Sequence, residues 1–211
     1  GILRKFWWGS KNGERKTAWV SWEVMTQSKF MGGMGFRDIE LFNLALLARQ
    51  AWRLLQEPNS PSARILKAVY YPTSSILEAE LGKNPSQVWR SLMEGRDTLR
   101  LGLVKRIGSG EHTNMWSDNW IPRDLKLRPV CPKMLNPPQM VSELINPITS
   151  SWDMDKLENH FYMMDKEAIC NIPLSYRVRE DFWAWHYDKR GVFSVRSAYR
   201  MITAVKTQRE D

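Results

Sequence analysis

The stretch GGMGFRDIELFNLALLARQAWRLL, residues 32–55, opens on three glycines in four positions and continues as leucines and alanines at helical spacing. Asp38 is placed to cap a helix that runs to about Gln56. Leu41, Leu44, Ala48, Trp52 and Leu55 recur at steps of three and four along one face. Leu46, Leu47, Ala51 and Leu54 widen that face, which predicts burial on two sides. Arg49 and Arg53 share the stripe that stays polar, and Pro58 and Pro61 end the helix. The glycines do not make a phosphate loop. The GxxxxGK[ST] pattern is missing, and the GxGxxG fingerprint lacks both its third glycine and a preceding strand. Gly32, Gly33 and Gly35 therefore read as a structural hinge, a tight turn with positive φ or close backbone contact. On that reading Gly33→Val strains the backbone by about 1–3 kcal/mol.

Outward from this helix the chain reads as mainly α with small β-hairpins, an α+β class. Trp19, Trp22 and Met25 set a short helix over 19–27. Ser60-Pro61 opens a second helix to about Tyr70, and Asn84-Pro85 a third through Val88, Leu92 and Leu99 to Gly102. LVKRIGSGEHTNMW, residues 103–116, predicts a hairpin about Gly108-Ser109-Gly110. Five prolines between Pro122 and Pro138 predict an irregular connection. SWDMDKLENHF and DKEAICNI, from 151 and 165, are short helices. FWAWHYDKRGVFSV, from 182, is a second hairpin turning at Asp188–Gly191, and VRSAYRMITAV, from 195, is a terminal helix with TQRED frayed beyond it.

The net charge is +8, and its placement is uneven. Residues 1–110 carry 17 Lys/Arg against 9 Asp/Glu, whereas residues 111–211 carry 14 of each. A basic half joined to a neutral half suits a polyanion; a bias for solubility accounts for it equally well. Cys131 and Cys170, 39 positions apart and outside any CxxC, read as idle thiols of a reducing intracellular compartment. No apolar run spans a bilayer and no secretory signal opens the chain, so no membrane is expected. Gly1 in place of an initiator Met suggests an end cut from something longer. His112, His160 and His186 lie far apart, without HExxH or GxSxG patterns, and the carboxylates form no Asp-Asp pair. The residues predict no catalytic set, no metal site and no cofactor.

The chain holds eleven tryptophans. Trp19, Trp22 and Trp52 fall on helix faces and are core residues by default. Trp7 and Trp8 are adjacent among Arg4, Lys5, Lys11, Arg15 and Lys16. Rings among cations suit a nucleic-acid strand; a tryptophan pair bridging packed elements, with solvated lysines around it, is the plainer alternative. Lys105 and Arg106 form a second basic spot, or a solvated hairpin edge.

FWWGS, WVSW, the 32–55 block, WRSLMEGRD, RIGSG, MWSDNWIP and GVFSVRSAYR stand in this order along nearly the whole chain. Together they closely resemble the C-terminal part of plant LINE-type (non-LTR) retrotransposon reverse transcriptases, fragments of which also stand alone in plant genomes. The 32–55 block is the most specific piece. The resemblance implies a thumb-like helical segment over 1–57, then a helical linker region with a hairpin over 58–121. A Pro-rich connection over 122–140 follows, and then 141–211, leading towards a zinc-binding segment whose Cys/His ligands this sequence lacks. The palm and its catalytic aspartates are missing too, so no enzyme activity is expected of this chain alone.

A thumb holds a duplex by its phosphates without reading sequence. The resemblance thus implies nucleic-acid contacts by Lys5, Lys11, Arg15, Lys16, Arg37, Arg49 and Arg53, with Trp7 or Trp8 stacking and Lys105 and Arg106 as a second spot. RNA, DNA or their hybrid is the expected partner, beside the palm of a parent polymerase or another protein. The nucleus is the default compartment and the mitochondrion the second. A domesticated protein-interaction module and a relic without a selected role are the rival readings.

Overall fold

Helix α2, Ile39–Gln56, forms where the periodicity places it, and its first turn is capped as the sequence predicts. The Asp38 carboxylate accepts hydrogen bonds from the Glu40 and Leu41 N–H groups at 3.0 and 3.3 Å. The computed structural model describes residues 6–11, 14, 15, 17, 19–27, 29, 32–123, 126–132, 137–174 and 179–210. They form two compact units, residues 1–43 and 44–211, in the mainly helical α+β class that the sequence predicts.

In the first unit two short strands, β1 (Ser10–Lys11) and β2 (Glu14–Arg15), pair antiparallel ahead of helix α1, Trp22–Thr26. Ser21 caps α1, so the helix starts later than expected and Trp19 lies outside it. That ring is 81% exposed rather than core, because helical spacing confers no burial on a residue ahead of the cap. The glycine turn then folds onto the end of α1. Gly35 N–H donates to the Gln27 carbonyl at 2.9 Å and Phe36 N–H to the Met25 carbonyl at 3.0 Å. Gly32 and Gly35 have φ of 78° and 71°, conformations that glycine adopts without strain. Gly33 does not; its constraint is contact, since a Cβ there would fall 2.3 Å from the Gln27 carbonyl oxygen. The expected reason for its intolerance is thus corrected from strained φ/ψ to steric exclusion. Gly33→Ala should cost about 1–3 kcal/mol, the overpacking range. Thermal melting followed at the aromatic near-UV bands checks it, and an unchanged transition would show that the chain does not pack this closely on α1.

The second unit begins with the rest of α2, followed by α3 (Pro61–Tyr70) and α4 (Gln87–Arg100). Ala45, Ala48, Ala51 and Leu54 of α2 are buried, while Trp52 is half-buried and stacks on Phe193 at 6.1 Å. Small residues here let α4 come close: a Cβ at Gly95 would lie 2.4 Å from the carbonyl carbon of Leu47. Ser60 caps α3 as predicted. For α4 the cap is Ser86, two residues past the expected Asn84; its hydroxyl accepts from Trp89 N–H at 3.2 Å and from the Tyr70 hydroxyl at 2.8 Å. Trp89 is fully buried and stacks on Tyr70 at 4.4 Å.

Strand β3, Leu103–Arg106, departs most from the sequence reading. It makes no hairpin about Gly108–Gly110. A 3-10 turn (Val141–Leu144), strands β4 (Ile145–Asn146) and β5 (Ser151–Trp152), and helices α5 (Met154–His160) and α6 (Met163–Cys170) come first. Only then does β6, Phe182–Trp185, pair antiparallel with β3, Leu103 opposite Trp185 and Arg106 opposite Phe182. The second predicted hairpin does turn at Asp188–Gly191, with Gly191 at φ 76°. Its return arm passes directly into helix α7, Val195–Glu210, instead of forming a strand. That helix takes in Thr207–Glu210, where fraying was expected; no glycine or proline interrupts it.

Met115, Trp120, Ile121, Val141, Leu144 and Leu157 are at the centre of the core under α5 and α6. Among the described residues of the proline-rich connection, Arg123, Val130 and Cys131 are fixed at one carboxylate. Asp165, fully buried, pairs with Arg123 at 2.6 Å and accepts from the Val130 and Cys131 N–H groups. Burial opposes its ionisation, yet these bonds hold its pKa below the usual carboxylate value. Burial and that same carboxylate push the Cys131 thiol up to about 11, so it stays protonated. Cys170 is free and exposed.

Candidate nucleic-acid interface

The exposed side of α2 carries Arg49 and Arg53 one turn apart, a consequence of the helix burying its alanines on the opposite side. Neither pairs with a carboxylate among the described residues. Arg53 also lines a cleft of about 420 Å³ between α2, α3 and α4. Leu47, Leu54, Leu66 and Leu92 contribute apolar walls, and Gln50, Ser62, Gln87 and Ser91 bring short polar groups to them. Glu57 is the one carboxylate among its lining residues. Exposed Arg64, Lys67 and Arg90 on α3 and α4 likewise have no ion pair among the described residues. Sequence reasoning passed over these three: Arg64 and Lys67 lie three apart on α3 and Arg90 on α4, and only folding relates the two helices.

In the first unit the aromatic residues divide. Trp7 packs edge-on to Phe36 at 4.6 Å and keeps 49% of its surface, and Trp8 is half-buried. Phe6 and Trp19, which the sequence did not single out as exposed, are 83% and 81% open. Arg37 is exposed and lies over the Phe42 ring at 5.0 Å. Lys5 and Lys16 lie outside the described residues, and so do the side chains of Lys11 and Arg15.

The second basic spot is not a pair of available cations. Lys105 Nζ forms an ion pair with Asp118 at 2.8 Å, donates to the His112 carbonyl and lies over Trp183 at 5.0 Å. Its side chain is 14% exposed, so its charge is spent inside the fold. Arg106 stays exposed and donates to the Lys189 carbonyl at 2.9 Å.

The Gly108–Gly110 loop beside this spot is satisfied from within the chain. Asp181 Oδ1 accepts from the Gly108 and Gly110 N–H groups at 2.7 and 2.9 Å. Oδ2 accepts from Thr113 Oγ1 at 2.7 Å and His112 N–H at 3.2 Å. The loop is an anion-binding nest whose anion is the chain's own carboxylate. Burial works against ionisation there, but the four donors win and hold the Asp181 pKa below its ordinary value. His112, His160 and His186 are not brought together, and among the described residues no three His, Cys, Asp or Glu side chains gather as a metal site would require. Among these residues no helix is long and apolar enough to cross a membrane.

Two plant proteins are similar to this chain. An uncharacterized mitochondrial protein of Arabidopsis thaliana, AtMg00310, is 43% identical over 129 residues, covering 61% of this chain and 84% of that protein. A second Arabidopsis thaliana protein, At1g65750, carries the provisional name of a ribonuclease H protein. It is 29% identical over 223 aligned residues, covering 99% of this chain. The chain spans 34% of that longer protein. No family profile and no solved structure matches.

Proposed function

The chain belongs to the family of the mitochondrial protein AtMg00310 of Arabidopsis thaliana, and on that premise we propose that it is a retroelement-derived nucleic-acid clamp. It carries out no chemistry by itself and holds RNA, DNA or their hybrid by the sugar-phosphate backbone, with little regard for sequence. The observation that carries this reading is Arg49 and Arg53 on α2, without an ion pair among the described residues, beside a cleft whose serine and glutamine groups suit phosphate and ribose oxygens. The ordered likeness of the whole chain to the thumb and linker of LINE-type reverse transcriptases supports it. So does the ribonuclease H name of the longer relative, which belongs to nucleic-acid chemistry. The mitochondrial name of the other relative favours the mitochondrion over the nucleus for this chain.

Fluorescence anisotropy with a labelled RNA–DNA hybrid between 50 and 200 mM salt tests the clamp. Contact with about four to six phosphates gives a log–log slope near −4 to −5. Arg49→Ala/Arg53→Ala should reduce that slope by about 2, to the same extent on unrelated sequences. A slope that the double variant leaves unchanged would remove α2 from the interface. A second reading, a protein-docking module, is favoured by the exposed apolar Ile65, Val69 and Val88 on α3 and α4. Binding of that kind would persist at high salt.

A further inference from the structure

A larger cleft, of about 590 Å³, lies beside the β3–β6 ladder in the second unit, within the size range of small-molecule sites. We propose that it takes a single nucleotide, its base against the apolar wall and its phosphate at the arginines of the rim. The pairing of β3 with β6 sets Arg106 directly opposite Phe182, and directly opposite residues share a face of an antiparallel ladder. Phe182 is 54% exposed, a ring offered to a flat partner. Ile107, Trp120 and Ile172 close the wall behind it.

Charge decides which flat partner. Arg106 and Arg179 both line the cleft and are exposed, and neither has an ion pair among the described residues. Lys105 also lines it but is matched by Asp118. The one lining carboxylate, Asp188, accepts from the Arg190 and Val192 N–H groups at 2.9 and 3.3 Å and is satisfied within its own turn. Two arginines thus face the cleft against one occupied acid. An aromatic wall beneath a cationic rim discriminates for a planar ring bearing an anion, the chemistry of a nucleotide, free or at the end of a strand. The site uses none of the α2 residues of the proposed clamp, so the two readings fail independently.

Photolabelling of the full chain separates them. One arm uses 8-azidoadenosine monophosphate, the other an oligodeoxynucleotide ending in 8-azidoadenosine, and labelled peptides are mapped by mass spectrometry. Labelling is expected in the peptides carrying Ile172–Leu174 or Phe182–His186. It should fall about tenfold in Phe182→Ala and in Arg179→Ala, as loss of a stacking or phosphate partner implies. It should be unchanged in Arg49→Ala/Arg53→Ala. Both single sites are exposed, and an unaltered circular dichroism melt confirms that each variant is folded. Labelling in both arms identifies a free nucleotide as sufficient, and labelling by the oligonucleotide alone identifies a strand end. Labelling elsewhere, labelling indifferent to Phe182→Ala, or competition by inorganic phosphate as effective as by adenosine monophosphate would overturn the proposal.

Discussion

Gly95→Val is expected to lower the melting temperature by roughly 6–12 °C, the shift that about 3 kcal/mol produces in a unit of this size. Gly95 is buried in the middle of α4, where glycine would ordinarily weaken a helix by about 1 kcal/mol relative to alanine. Replacement should therefore help, were the helix alone. It will not, because the first atom of any side chain meets the backbone of α2, 2.4 Å from the Leu47 carbonyl carbon and 2.6 Å from its oxygen. A flexible neighbour could turn aside, but a helix backbone moves only with its whole layer. Overpacking of about 1–3 kcal/mol, and more against rigid backbone, thus exceeds the propensity gain. Alanine at this position fixes the sign. An alanine variant melting at or above the unmodified chain would mean that α2 and α4 do not approach closely.

Asp181→Asn is expected to cost about 3 kcal/mol at neutral pH. The carboxylate receives four hydrogen bonds, two at each oxygen, and an amide sets an NH2 donor either against the Gly108 and Gly110 N–H groups or against the His112 N–H, beside a Thr113 hydroxyl that can turn to accept. Hydrogen bonds to a charged group contribute about 1.5–3 kcal/mol, and stranding a buried donor costs about 1–3 kcal/mol. The pH dependence has a definite sign. The folded-state pKa of Asp181 lies below its unfolded value, so the stabilisation is complete above the unfolded value of about 3.9. It is lost as the pH falls through the lowered folded value. Urea titrations at neutral pH and in acid should show the gap between the two proteins closing below about pH 4. A gap of equal size at both pH values would assign the loss to shape and not to charge.

Local signals were legible in the sequence where the structure is local. Asp38 and Ser60 cap the helices they were expected to cap, and the alanines and leucines of 41–55 point largely as their spacing dictates. Ser86 shows the limit of that signal, since the proline before it marks a helix start only to within two residues. What could not be read is what folding alone brings together. Gly108-Ser109-Gly110 looks like a hairpin turn until Asp181, 71 residues beyond Gly110, fills it. Gly95 looks like a defect in a helix until Leu47 is found against it. Arg49 and Arg53 were legible as exposed cations because a buried face fixes an exposed one. Lys105 was not, because nothing in its neighbourhood announces Asp118 as its partner.

The ladder between β3 and β6 also sets a timetable for synthesis. Arg106 leaves the ribosome 76 residues ahead of its partner Phe182, which at about 5–20 residues per second is a delay of roughly 4–15 s. Throughout that interval the nascent polypeptide presents an open strand edge, bearing Leu103 and Val104, to whatever else is in the crowded cytoplasm or organelle. A transcript cut short before the codon for Phe182 therefore yields a product whose adhesive edge is never covered, so chaperones and proteases become the arbiters of its lifetime.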